Sequence, residues 1–179
     1  MTAYYRSPIN DEAVSGDWSG TAGSRYSAGS LTHGTTAGDL TFGFGGPLIP
    51  AGSTIDFVVV EYYDYKTGAA IAAIGGRIKV GGSYYNSSTH NPTQGFVAFH
   101  SHTWATNPAT AAAWTADEVN GIGGNAIQAA GYHSTDADPT IVVSGIRMYI
   151  EFTSPGSPYL TGMSEGIATH SAALVGQAT

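Results

Sequence analysis

Cysteine is absent from this chain, which excludes disulfides and thiolate metal sites and leaves packing and assembly as the only sources of durability. Charge is scarce as well: Asp, Glu, Lys and Arg make up 11% of 179 residues, against roughly 25% in an ordinary soluble domain. The 6 Lys and Arg are outnumbered by 13 Asp and Glu, and the resulting net charge of −7 repels nucleic-acid phosphates, so no nucleic-acid partner is expected. No window of about 18 apolar residues occurs, and no membrane-spanning helix is expected. The start, Met1-Thr-Ala-Tyr-Tyr-Arg-Ser-Pro8, lacks the apolar segment of a secretory signal; any export is expected by another route, such as release by lysis.

What the chain has instead is 25 Gly, 11 Tyr and a supply of Ser, Thr and Asn, arranged in strand-like alternation. Asp39 to Phe44 places Leu40, Phe42 and Phe44 on one face. Thr54 to Asp64 puts Ile55, Phe57, Val59 and Tyr63 on one side, with Val58, Val60 and Tyr62 making the other apolar too, as in a central strand. Arg77 to Val80, then Gly81-Gly82, then Ser83 to Asn86 reads as a tight hairpin. Gly95 to Trp104 aligns Phe96, Ala98, His100, His102 and Trp104. Thr140 to Phe152 turns Ile146, Met148, Ile150 and Phe152 inward and Arg147, Tyr149 and Glu151 outward. One helix start stands out, at Thr115: with Glu118 it forms a capping box, and Trp114 can staple onto Val119.

The ends differ in character. Residues 1–13 read as an N-terminal arm gripping through Tyr4, Tyr5 and Pro8, and residues 14–152 as the sandwich. Residues 153–179 open on a Pro/Gly/Ser linker and read as a C-terminal arm anchored by Tyr159, Leu160, Met163, Ile167, Leu174 and Val175.

Each reactive-looking cluster has a structural explanation. His100 and His102, two apart on one strand, could reach one metal with His90 or His133 completing the set. No H-E-x-x-H motif or carboxylate at ligand spacing accompanies them, so hydrogen-bonded histidines, no metal and no cofactor are expected. Asp136 and Asp138 could serve calcium, but Asp138-Pro139 initiates a turn. Hydrolytic carboxylates would have to come from Asp56, Glu61, Asp64, Asp117 and Glu118, the last two already explained by the helix start; no G-x-S-x-G elbow exists, and an enzyme is not expected. Tyr62, Tyr65 and Tyr84 are the candidates for a platform that stacks sugar rings.

Six pieces in order carry a resemblance: Ser15-Gly-Asp-Trp18, Ile55 to Val60, Val80-Gly-Gly-Ser-Tyr-Tyr85, Trp104-Ala-Thr-Asn-Pro-Ala-Thr110, Trp114-Thr-Ala-Asp-Glu-Val-Asn120 and Val142 to Phe152. From first to last they span about three quarters of the chain. This order resembles a β-sandwich module of tailed-phage virion proteins, related to carbohydrate-binding sandwiches. The resemblance implies an all-β, antiparallel, jelly-roll-like sandwich with one short helix and two extended arms. It also implies a non-enzymatic role on the virion, as a capsid decoration or cement protein. The partners would then be the major capsid protein and copies of this chain, held through many modest contacts. The alternative expectation, from a different class, is a host-adhesion module of a tail or fibre that binds glycan.

Overall fold

The computed structural model describes residues 2–14, 31–33, 38–69, 71–135 and 141–156. Among them run nine strands, β1 (Thr2–Val14), β2 (Leu31–His33), β3 (Asp39–Gly45), β4 (Thr54–Lys66), β5 (Ile74–Val80), β6 (Ser83–Asn86), β7 (Ala98–Trp104), β8 (Ile127–Ser134) and β9 (Ile141–Thr153), with one helical turn, α1 (Ala116–Val119). Every strand-to-strand ladder is antiparallel, in the order β6-β5-β8-β3-β1-β9-β4-β7, with β2 beside β9. The sequence reading of an all-β antiparallel sandwich therefore holds.

The hydrogen-bonded order folds over on itself at β1. Thr2 to Arg6 pair with β9, whereas Ser7 to Val14 pair with β3, with register shifts after Pro8 and Asp11. A front layer (β1-β9-β4-β7) and a back layer (β1-β3-β8-β5-β6) thus share one strand. Between them lies a core of Leu40, Phe42, Val58, Val60, Tyr62, Ile78, Tyr132, Ile146, Met148, Ile150 and Phe152, among others.

This arrangement corrects the N-terminal arm. Tyr4 faces inward onto Phe152, ring centroids 4.9 Å apart, and Arg6 is buried, donating to the carbonyls of Val119 and Pro47 and to Asn120 Oδ1. A segment that supplies backbone partners to both layers is part of the sandwich. The C-terminal anchors Tyr159, Leu160, Met163, Ile167 and Leu174 lie outside the described residues, as do Asp136 and Asp138.

Alternation places most side chains as expected, with informative exceptions. A bulge between Ile55 and Phe57 turns Ile55 into the core and leaves Phe57 on the outer face, so the two do not share a side. The strand ending at Trp104 begins at Ala98 instead of Gly95, and Phe96 is exposed before it. At the hairpin, Gly81 and Gly82 adopt φ of 57° and 84°, the positive pair that a two-residue connection between right-twisted strands requires. Strand β8 was not apparent in the sequence: its run of Ala129, Ala130 and Gly131 shows no alternation, and at Gly131 the paired strand β3 of the same layer leaves no room for a side chain. A Cβ on Gly131 would stand 1.9 Å from the Leu40 carbonyl oxygen.

The Trp-x-x-Asn-Pro signature proves to be an internal brace. Asn107 is fully buried, its Nδ2 donating to Asn125 O at 3.0 Å and its Oδ1 accepting from Ala109 N at 2.9 Å. Trp114 Nε1 donates to Trp104 O, tying the two tryptophans together, and the Thr115–Glu118 capping box forms as read.

Candidate functional site

Period two means that each front-layer strand also presents an outward row, and β9 lies centrally, between β1 and β4. Tyr5 stands opposite Tyr149, which stands opposite Val59, which stands opposite Thr103. One row along, Arg147 faces Glu61 and Glu61 faces Ser101; the next row sets Tyr63 against Phe99. The outcome is two aromatic clusters on one surface. Tyr5, Tyr149 and Phe57 form the first, with centroid separations of 5.0 and 6.0 Å along that series, and Tyr63 and Phe99 form the second at 5.3 Å. Tyr5, Tyr63 and Phe99 are 51%, 37% and 48% exposed.

A polar band separates the clusters. Arg147 Nε donates to Glu61, and the same guanidinium lies over the Tyr5 ring at 4.2 Å. Tyr149 donates its hydroxyl to Glu151 at 2.7 Å, and that bond to a carboxylate pushes the phenol up to about 12. Tyr149 and Tyr63 are four residues apart in strand register, hence about 13 Å along the layer. The surface offers apolar ring faces at both ends and hydrogen-bonding groups between them.

Of the three tyrosines expected to form a platform, only Tyr65 shares this face. Tyr62 points the other way and is 3% exposed in the core, edge-on to Tyr132. Tyr84 belongs to β6, on the back layer, away from this face. Strand parity separates Tyr62 from Tyr65, and sheet order separates both from Tyr84. The residues that do converge, Tyr5, Tyr63, Phe99 and Tyr149, were legible as outward positions once β4 and β9 are neighbours, but nothing local announces that pairing.

The inner face of the same strands carries a second group. Asp64 is fully buried at the end of the β4 core row. Its Oδ2 lies 2.8 Å from His90 Nε2 and its Oδ1 lies 3.6 Å from His100 Nε2. The two imidazoles stack at 3.6 Å between centroids, and the ligand atoms of all three residues fall within 4.8 Å of one another. Burial lowers the His100 pKa, partly offset by the Asp64 carboxylate, and burial together with Asp64 raises that of Tyr62. Of the expected histidine set, His100 and His90 meet. His102 instead packs edge-on against Trp104, and His133 is buried in the back layer, its Nε2 3.0 Å from Ser87 O.

The candidate carboxylates are dispersed over the fold where the structure places them. Glu61 faces outward onto Arg147, Asp64 faces inward, and Asp117 and Glu118 occupy the first turn of α1.

No family model matches the sequence, and no curated protein matches it. Solved structures do. The xylan-binding module CBM15 superposes with a TM-score of 0.50 at 11% identity, over 85% of this chain and 93% of that one. The CBM22-1 xylan-binding domain of Paenibacillus barcinonensis Xyn10C gives 0.47 at 13% identity, over 82% and 92%. At such identities the likeness is one of fold: a β-sandwich of the kind used by carbohydrate-binding modules.

Proposed function

We propose that this protein is a non-catalytic carbohydrate-binding module whose ligand lies across the outer face of the front layer. The observation that carries this reading is the pairing of two exposed aromatic clusters, about 13 Å apart, around the Glu61–Arg147 pair. Sugars present an apolar face and an equatorial rim of hydroxyls. Tyr63, Phe99 and Tyr5 match the first, while Glu61, Arg147, Glu151 and the Tyr149 hydroxyl match the second. The span suits an oligosaccharide better than a single ring. Net charge of −7 disfavours polyanionic glycans, and neutral chains are the class we assign. The fold shared with a xylan-binding module supports this choice and makes xylan the first polymer to try. The expected capsid-cement role draws no comparable support: Tyr4 and Tyr5, its N-terminal grips, are built into β1.

Calorimetry with xylan, mannan and glucan oligosaccharides tests the assignment. Saturable binding is expected to weaken about tenfold in Tyr63→Ala or Phe99→Ala, since one stacking ring contributes on the order of 1–2 kcal/mol. Tyr84→Ala, on the back layer, is expected to bind normally. Absence of binding to every neutral glycan, or equal loss in Tyr84→Ala, would remove the proposal.

A further inference from the structure

We propose that Asp64, His90 and His100 form a site for one divalent transition-metal ion, with zinc the preferred occupant. The site is distinct from the glycan face, because Asp64 points inward from the strand whose Glu61 and Tyr63 point outward.

Three observations converge. First, the donors are two imidazoles and a carboxylate from separate parts of the chain: Asp64 on β4, His100 on the paired strand β7, and His90 on the segment bridged to Ile74 of β5. That nitrogen-rich set suits zinc and its neighbours and not calcium or magnesium, which take oxygen. Second, ligand atoms around a tetrahedral zinc with bonds of about 2.0–2.1 Å stand about 3.3 Å apart. The Asp64 Oδ1–His100 Nε2 separation of 3.6 Å is close to that value, and one ligand atom from each of the three residues lies within 4.8 Å of the others. Third, Asp64 Oδ1 is a buried oxygen with no hydrogen-bond partner among the described residues, on a side chain that is 0% exposed. A buried carboxylate with one oxygen unpaired is costly unless positive charge compensates it, and a divalent cation between Oδ1 and the two imidazoles supplies that charge.

The histidine side chains are 26% and 32% exposed, so the ion can enter from the open side and a fourth position remains for water or another ligand. Held in this way, the metal ties β4, β7 and the His90 segment together at one end of the sandwich. Its effect is read as added stability.

The test uses the full chain, stripped with EDTA and dialysed. Zinc titration by calorimetry is expected to give one ion per chain and a melting temperature that rises with zinc. Cobalt(II) at the same stoichiometry is expected to show the intense visible bands of tetrahedral coordination. His100→Gln and Asp64→Asn should each weaken zinc at least tenfold, since losing even a residue that merely orients a ligand costs about 10- to 100-fold. His102→Gln and His133→Gln should bind as the parent does. His100 lies partly at the surface, so its variant is expected to keep the parent circular dichroism even where Asp64→Asn fails to fold. Absence of saturable zinc binding by the folded chain, unchanged affinity in folded His100→Gln, or equal loss in His102→Gln would overturn the assignment.

Discussion

At the scale of single residues, the polar side chains inside the sandwich do the work of fixing loops. Asn107 satisfies the Asn125 carbonyl and the Ala109 amide at once, so the Asn-Pro turn that follows Trp104 is held from within. Replacing Asn107 with Ala deletes both bonds and leaves buried groups unpaired; the expected loss is about 2–3 kcal/mol, measurable as a lower urea midpoint with an unchanged slope. The same residue shows what a local motif conveys. Trp-x-x-Asn-Pro was readable as a structural signature, and the buried amide explains why. Asp64 shows the opposite: 36 positions before His100, it has no local pattern that marks it as that residue's partner. Only the β4–β7 ladder, with Tyr62 opposite His100, brings them together.

At the scale of elements, β1 decides most. Its sequence, with Pro8 and few apolar residues, reads as an arm because no stretch of it alternates cleanly. It is nevertheless a strand, since β3 and the Met148–Phe152 half of β9 take their partner on that side from it, and the register shifts after Pro8 and Asp11 let one chain serve both. Removing residues 1–14 strips backbone partners from both layers and uncovers Phe152. The truncated chain is expected to lose cooperative urea unfolding and its near-ultraviolet circular dichroism. A truncation that still unfolds with the parent midpoint would return β1 to the status of an arm. Strand β8 was missed for a related reason: it is buried along most of its length, so its run of Ala and Gly carries no period, and the close approach of the paired strand β3 that requires Gly131 is invisible in the sequence.

For the molecule as a whole, histidine burial sets a pH dependence. Burial lowers the pKa of His102 and His133 in the folded state below the ordinary value of about 6.5. The unfolded chain therefore binds more protons as pH falls, and stability, fully present above about pH 6.5, declines from there toward the lowered folded values. Urea unfolding of the EDTA-treated protein between pH 5 and 8 is expected to show this decline, with a shallower slope in the His102→Gln/His133→Gln double variant. An equal slope in the double variant would assign the dependence to other groups.

Alternation and turn chemistry act over a few residues, so the sequence by itself determined the all-β class, the Gly81-Gly82 hairpin, the capped turn at Thr115 and the inward and outward sides of β9. Which outward rows lie side by side depends on strand order, a property of contacts between residues far apart in the chain. Tertiary structure alone therefore set Tyr5 beside Tyr149, hid Tyr62 in the core, sent Tyr84 to the other layer and gathered Asp64, His90 and His100 around one point.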